Sequence, residues 1–113
     1  MNLLLVLAFA AAIGLGATTA WLGLREQRPA IRLATVHGIV ALGALSLLGY
    51  RVFTGPENLW FNSAFFLFLL TVIGGVFMLL VRRRDEPPFA GLIALHAITG
   101  VVAFLVLLGG MGG

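Results

Sequence analysis

Residues 29–48 read PAIRLATVHGIVALGALSLL, and this segment occurs twice in the chain in related form. It is largely apolar and contains a single histidine, His37. A shift of 59 residues lays it on a second stretch near the C-terminus, so that Pro29 falls on Pro88 and His37 on His96. The sequence has no other histidine. Because both histidines occupy the same place in a repeat, we expect them to act as a pair.

The same shift aligns further residues around the two histidines. The aligned pairs are Arg25 and Arg84, Gly16 and Gly75, Ala41 and Gly100, and Ala44 and Ala103. The repeat covers residues 1–54 and 60–113, within a single domain of 113 residues. A repeat of this kind predicts two structurally similar halves related by an axis along the membrane normal.

The composition indicates a membrane protein. Hydrophobic residues make up 61% of the chain and charged residues only 10%, which leaves too little polar surface to cover a soluble domain. The net charge of +3 comes from arginines at the ends of apolar runs, where we expect them to contact lipid headgroups. We therefore predict a lipid bilayer as the surroundings and no nucleic-acid partner. With no cysteine, the chain forms no disulfide and attaches no cofactor through thioether links.

Four apolar runs are long enough to cross a bilayer as helices, since a span needs about 20 residues. They cover residues 3–24, 31–53, 59–81 and 89–109. Pro29 suits the first position of the second helix, and Asn58 suits the N-cap of the third. Short connections favour an up-down-up-down bundle in which the second and fourth helices are parallel and diagonal. We predict an all-α membrane protein of four transmembrane helices, built from two parallel helix-hairpin repeats.

A cleaved signal peptide is the alternative interpretation of the first run, because small residues at 17–20 would suit a peptidase. No basic segment precedes this run, and its removal would delete the first half of a repeat. We therefore expect it to be a transmembrane helix.

The two histidines are predicted to lie at one depth in the bundle. Each follows its proline by eight residues, which is about 12 Å along a helix axis. On parallel, diagonal helices the two imidazoles would face each other across the core. Neutral imidazole is a common ligand of haem iron, and bundle cores hold cofactors between facing helices. The pair therefore predicts the two axial ligands of one haem.

Small residues fall where a flat macrocycle would need space. Four follow the histidines on the same helix faces: Ala41, Ala44, Gly100 and Ala103. Four others lie at matching depth on the first and third helices: Gly14, Gly16, Gly74 and Gly75. We expect the first set to lie along the faces of the ring and the second set to lie at its edge. In the alternative interpretation, these residues only let helices pack closely.

Arginines cluster in the first and third connections. The candidates for pairing with haem propionates are Arg25, Arg28, Arg32 and Arg84. Binding to lipid headgroups explains the same residues equally well. By the positive-inside rule, these connections are expected in the cytoplasm and both termini outside.

This arrangement resembles the membrane cytochromes b, whose four-helix bundles take one histidine from each of two diagonal helices and glycines from the flanking pair. The resemblance covers two histidines and four glycines over most of the chain, with no long signature string. It implies one haem b per chain with its iron held by His37 and His96. That family often holds two haems and four histidines per bundle. Only one pair exists here, so the resemblance does not extend to an electron path across the membrane.

The resemblance implies an electron-transfer protein or subunit, rather than a stand-alone enzyme, in a bacterial cytoplasmic membrane. Its expected partner is a quinone or a redox protein, and a homodimer is compatible with the sequence. The alternative hypothesis is a haem-free structural or assembly subunit whose histidines bond within the bundle. A proton-coupled transporter is less favoured, because all four carboxylates lie in connections.

The arginine distribution yields a topology prediction. Alkaline phosphatase fused to the C-terminus should be active, because both termini are expected outside the cytoplasm. A cytoplasmic reporter fused at the same junction should be inactive. The opposite pair of results would contradict the topology.

Overall fold

The computed structural model describes residues 2–82 and 85–112. They form four α-helices: α1 (Asn2–Glu26), α2 (Ile31–Thr54), α3 (Leu59–Val81) and α4 (Ala90–Met111). Each helix is long and apolar enough to cross a membrane, and the bundle is 45 Å long. A bilayer with its headgroups is about 40–45 Å thick. The predicted all-α fold of four transmembrane helices is confirmed.

The outer surface of the bundle is apolar. Large hydrophobic side chains point outward from every helix, including Leu80 and Phe53, each of which is 77% exposed. A surface of this kind suits lipid rather than water, because lipid needs no polar partners from the side chains it contacts. The chain is therefore an integral membrane protein.

Each helix packs against two neighbours, in the order α1, α2, α3, α4 around the bundle. Within the described residues, the diagonal pairs α1/α3 and α2/α4 make no close backbone contact. Between α3 and α4, Trp60 lies against Gly109 and Gly75 against His96, so residue numbers increase in opposite directions. Between α1 and α2, Gly16 lies against His37 and Gly23 lies near Ala30, so residue numbers again increase in opposite directions. The helices of each hairpin are therefore antiparallel.

The connection between α1 and α2 differs from the sequence prediction. Pro29 is not the first residue of α2, because this helix begins at Ile31. Gln27, in the left-handed region at φ 57°, reverses the chain beyond α1. The backbone N–H of Arg28 then donates to the carbonyl of Gly23 at 3.2 Å. This bond caps the last turn of α1, and α2 starts only after the chain has turned back.

The buried core is built from equivalent residues of the two halves. Eight buried side chains form four pairs related by the 59-residue shift: Leu5 and Ala64, Phe9 and Phe68, Ala44 and Ala103, and Leu48 and Leu107. The rings of Phe9 and Phe68 stack with centroids 3.8 Å apart and planes at 10°, although their helices are diagonal. Two equivalent residues meet in this way only on the axis that relates the halves. The stack therefore marks a pseudo-two-fold axis through the centre of the bundle.

This core fills only one half of the bundle. The buried side chains lie within residues 5–12, 44–48, 61–68 and 103–107, toward the α2–α3 connection. The other half contains both histidines and the first and third connections. Its described residues include no fully buried side chain. The bundle therefore combines a tightly packed half with a loosely packed half, and the histidines lie in the loose one.

Asn58 ties the packed half together at its end. Its side-chain oxygen accepts hydrogen bonds from the backbone N–H groups of Trp60 at 3.0 Å and Phe61 at 3.3 Å. Its amide nitrogen donates to the carbonyl of Gly110 at 3.2 Å, which joins the start of α3 to the end of α4. The sequence prediction of Asn58 as an N-cap is confirmed.

Replacing Asn58 should weaken the fold measurably. Asn58→Ala removes both cap bonds and the bond to α4, and we expect it to lower the free energy of unfolding by about 1–2 kcal/mol. The measurement is unfolding by sodium dodecyl sulfate in mild detergent, followed by circular dichroism. Asn62→Ala is the control, because the Asn62 side chain makes no hydrogen bond within the described part of the chain. Equal losses in the two variants would contradict the role of the cap.

Candidate functional site

His37 and His96 meet at the centre of the loose half. Their ring centroids are 6.2 Å apart and their planes lie at 87° to each other. Because α2 and α4 make no close backbone contact, the side chains alone bridge the core at this level. Like Phe9 and Phe68, the two histidines are equivalent residues of the repeat. They meet on the same pseudo-two-fold axis.

The distance between the ring centroids is close to that of two imidazoles on opposite sides of one metal ion, although the Cε1 edge of each ring faces a glycine of its neighbouring helix. A first-row metal lies about 2.0–2.1 Å from an imidazole nitrogen, and that nitrogen lies about 1.2 Å from its ring centroid, so rings on opposite sides of one ion have centroids about 6.4 Å apart. The observed distance is 6.2 Å. Among the described residues, no three His, Cys, Asp or Glu side chains lie close enough together to hold a metal ion. A metal between the rings would therefore fit best if a planar prosthetic group supplied its remaining ligands.

A glycine of the neighbouring helix makes room for each ring. A Cβ atom added at Gly16 would lie 2.8 Å from Cε1 of His37, and one added at Gly75 would lie 2.9 Å from Cε1 of His96. Both distances are too short for a Cβ atom, so a larger residue would push the ring away. These two predicted glycines thus lie against the imidazoles themselves. Their contact with the edge of a macrocycle stays a prediction.

The tautomer of His37 is set by α1. Its Nδ1 atom lies 2.7 Å from the carbonyl oxygen of Ala12. A carbonyl only accepts hydrogen bonds, so Nδ1 carries the proton and Nε2 keeps its lone pair. Metal-binding histidines are commonly oriented by such a bond to the second nitrogen. The same bond would also satisfy a histidine that binds no metal, as the haem-free hypothesis expects.

His96 has a similar environment, as the equivalent residue. The carbonyl at the position equivalent to Ala12 belongs to Thr71, and it lies near the His96 ring. Nδ1 of His96 is buried, and its contact with this carbonyl lacks the geometry of a full hydrogen bond. The two histidines therefore match in position, and the hydrogen bond of His37 is the better formed of the two.

A cavity of about 290 Å³ lies beside His96, between α3 and α4. We call it the α3–α4 groove; the residues that define it here are Thr71, Gly74, Phe77, Leu95, His96 and Thr99. The Thr71 and Thr99 hydroxyls donate to carbonyl groups one turn earlier in their own helices. The walls of the groove are otherwise mainly apolar.

The other small residues predicted for the site lie at several places. Ala44 and Ala103 belong to the buried core cluster that contains the phenylalanine stack. Gly100 is also buried, with Thr71 beside it, whereas Ala41 is half-buried. Contact of these four residues with a haem stays a prediction.

Gly14 and Gly74 face open space. A Cβ atom added at either position would have nothing within 4 Å apart from its own helix backbone. Gly74 opens into the α3–α4 groove, while Gly14 is on the exposed surface of α1. Neither glycine is needed for close helix packing in the described part of the chain.

The predicted arginines lie at the connections. Arg25 lies over the Trp21 ring, 5.0 Å from its centroid, and Arg28 forms an exposed ion pair with Glu26 at 3.6 Å. Arg32 is exposed at the start of α2. Arg84 is outside the described residues. Pairing of these arginines with propionates stays a prediction.

Sequence reasoning missed two contributors to this site. The Ala12 carbonyl was missed because a backbone acceptor leaves no signal in residue types. Phe9 and Phe68 were not singled out, although the 59-residue shift pairs them just as it pairs the histidines. Applying the shift to every large apolar residue would have identified them.

In comparisons with known protein families, curated proteins and solved structures, nothing matches this chain. The interpretation of the site therefore rests on its own residues and geometry.

The bond to Ala12 predicts a distinct tautomer for His37. Nitrogen-15 spectra of histidine-labelled protein in micelles without haem should show Nδ1 of His37 protonated. In Gly16→Ala this signal should shift or disappear, because the added Cβ displaces the ring tip rather than the helix. Gly43→Ala is the matched control, since a Cβ at Gly43 would meet nothing within 4 Å. Protonation of His37 at Nε2 would contradict the assignment.

Proposed function

We propose that this chain is a membrane b-type cytochrome in which His37 and His96 hold one haem b. The observation that carries the proposal is the pair of equivalent imidazoles on the pseudo-two-fold axis, with ring centroids 6.2 Å apart. The residues around the pair fit such a group. The tautomer of His37 leaves Nε2 available to iron, and the surrounding half of the bundle has no buried side chain among its described residues.

The protein supplies position and surroundings for this group. Gly16 and Gly75 leave room for the Cε1 edge of each imidazole, and the bond from His37 Nδ1 to Ala12 orients one ring. The stacked rings of Phe9 and Phe68 fill the core of the packed half. A haem with two axial histidines supplies an iron that accepts and releases one electron, with no vacant position for a substrate. We therefore propose electron transfer rather than substrate chemistry.

The site lies in the half of the bundle next to the α1–α2 and α3–α4 connections, which we propose to be cytoplasmic. Arginines of these connections, namely Arg25, Arg28, Arg32 and Arg84, are proposed to pair with the propionates or with lipid headgroups. The electron partner is proposed to be a quinone or a redox protein. We further propose a bacterial cytoplasmic membrane as the location.

One observation favours the alternative of a haem-free structural or assembly subunit. The hydrogen bond between His37 and Ala12 satisfies one polar atom of this imidazole within the bundle, without any cofactor. The repeat alone places both rings on the axis, just as it places Phe9 and Phe68 there. The structural alternative does not require imidazoles at this point of an apolar bundle, whereas the cytochrome proposal does.

The visible spectrum of protein purified from cells with ample haem tests the proposal. The reduced protein should show the sharp split α and β bands of low-spin haem. His37→Ala and His96→Ala should each abolish this low-spin signature, because each removes one axial ligand. Ser46→Ala is the control, since its hydroxyl bonds only to the Leu42 carbonyl of its own helix. A colourless wild-type protein would select the structural alternative.

A further inference from the structure

We propose that Arg82 binds a propionate carboxylate of the haem. This inference rests on the proposed function and names the residue of this chain that holds the charged edge of the group. Arg82 is the C-cap of α3 and lies next to the α3–α4 connection. Its place on the helix, the burial of its Nε atom and its counterpart in the repeat all point to this role.

Arg82 continues the face of α3 that is directed at the axis. Phe68, Gly75 and Arg82 follow one another at intervals of seven residues, which is close to two helical turns. Phe68 stacks on Phe9 at the axis, and Gly75 lies against the His96 ring. Side chains at the end of a helix lean toward its N-terminus, which for α3 is the direction of this ring. Arg82 therefore lies on the inner side of the loose half, at its connection end.

The guanidinium of Arg82 is partly buried. Its Nε atom is inaccessible and has no hydrogen-bond partner among the described residues. An arginine side chain stays positively charged, and burial of a charge without a partner is unfavourable. Buried polar atoms of folded proteins nearly always have a partner. The unpaired Nε atom therefore indicates an acceptor that the described part of the chain does not supply.

The other described arginines differ from Arg82 in this respect. Arg25, Arg28 and Arg32 are exposed, so water and lipid headgroups satisfy their charge. Arg51, at the opposite end of the bundle, donates a hydrogen bond to a carbonyl of the α2–α3 connection at 2.9 Å. Among the described arginines, only Arg82 combines a position beside the loose half with a buried, unpaired Nε atom.

The repeat does not require an arginine at this position. The residue equivalent to Arg82 is Gly23, which is buried. A Cβ atom added at Gly23 would lie 3.4 Å from the carbonyl oxygen of Arg28 and 3.8 Å from Cβ of Pro87. The first hairpin therefore closes with a glycine here, and the second hairpin adds a charge on one side of the loose half only. A ligand with its charged edge on that side agrees with this difference.

A carboxylate carried by the ligand is the acceptor that fits this position best. Arginine binds a carboxylate through two parallel charge-assisted hydrogen bonds. In the described part of the chain, the acidic residues of this end do not supply it, because Glu26 pairs with Arg28 and the side chains of Asp85 and Glu86 are exposed. A lipid phosphate would lie among the headgroups outside the bundle, whereas Arg82 lies on the inner face. Haem b carries its carboxylates as propionates, and between the histidines these would lie within the bundle.

The first test compares haem affinity in Arg82→Gln and in the wild type. Titration of purified apoprotein with haem in an uncharged detergent, read at the Soret band, should show about tenfold weaker binding in the variant, the size expected for one lost charge-assisted hydrogen bond. Arg51→Gln is the matched control, because it removes the same charge at the opposite end of the bundle. Its affinity should stay within about twofold of the wild type. Equal losses in the two variants would overturn the inference.

The second test uses the dimethyl ester of haem, whose propionates carry no charge. Wild-type protein and Arg82→Gln should bind this ester with the same affinity, because it offers no carboxylate to the guanidinium. The two ligands and the two proteins together form a double-mutant cycle, which isolates the interaction between Arg82 and the propionate. If Arg82→Gln weakened the binding of haem and of its ester equally, Arg82 would act through the fold or through a lipid phosphate, and the inference would be wrong.

The outcomes separate this inference from the proposed function. Wild-type protein that binds haem with the same affinity as Arg82→Gln would refute the role of Arg82 and leave the cytochrome proposal intact. Wild-type protein that takes up no haem from solution would refute both. A loss of affinity confined to Arg82→Gln and to haem with free propionates supports both.

Discussion

Equivalent residues of the two halves meet on one axis, and this pairing determines how the whole bundle packs. A repeated helix hairpin has to bury its inner face against its own copy, so whatever lies at the centre of one half faces itself. In the packed half, this rule brings Phe9 onto Phe68 with centroids 3.8 Å apart. In the loose half, it brings His37 to His96 at 6.2 Å. One symmetry element thus produces both the stable end of the bundle and its candidate site.

The two ends of the bundle pack differently because different side chains face the axis. Two stacked aromatic rings exclude water and lipid and let α1 and α3 support each other across the core. Two imidazoles do not pack in this way, because each carries polar atoms that need partners in an apolar medium. His37 finds one in the Ala12 carbonyl, and the equivalent Thr71 carbonyl lies near His96. The imidazoles therefore depend on backbone carbonyls of α1 and α3 rather than on each other.

The sequence predicted the helices and the histidine pair better than it predicted their surroundings. Length and hydropathy determine membrane spans because the bilayer fixes how many apolar residues a helix needs. The 59-residue shift pointed to His37 and His96 because only two histidines exist. The predicted second span began at residue 31, as α2 does, but Pro29 does not open the helix, since the reversal at Gln27 depends on a backbone conformation that residue type indicates poorly. The direct glycine–imidazole contacts and the Ala12 bond depend on the rotation of each helix, which a pattern of residue types leaves open.

The two halves of a repeat have similar structures except where their sequences differ. Positions that differ between the halves therefore show where their surroundings are unequal. Gly16 and Gly75 contact their histidines in the same way. A Cβ atom added at either glycine would lie 2.8 or 2.9 Å from Cε1 of the ring. The residues just before these two glycines differ, because Leu15 precedes Gly16 whereas Gly74 precedes Gly75. The second half therefore lacks a large side chain that the first half carries. The likeness holds where the two rings meet their glycines, because both rings have to reach the axis at the same depth. The difference lies beside it, where Gly74 opens into the α3–α4 groove and the equivalent position of the first half carries the Leu15 side chain.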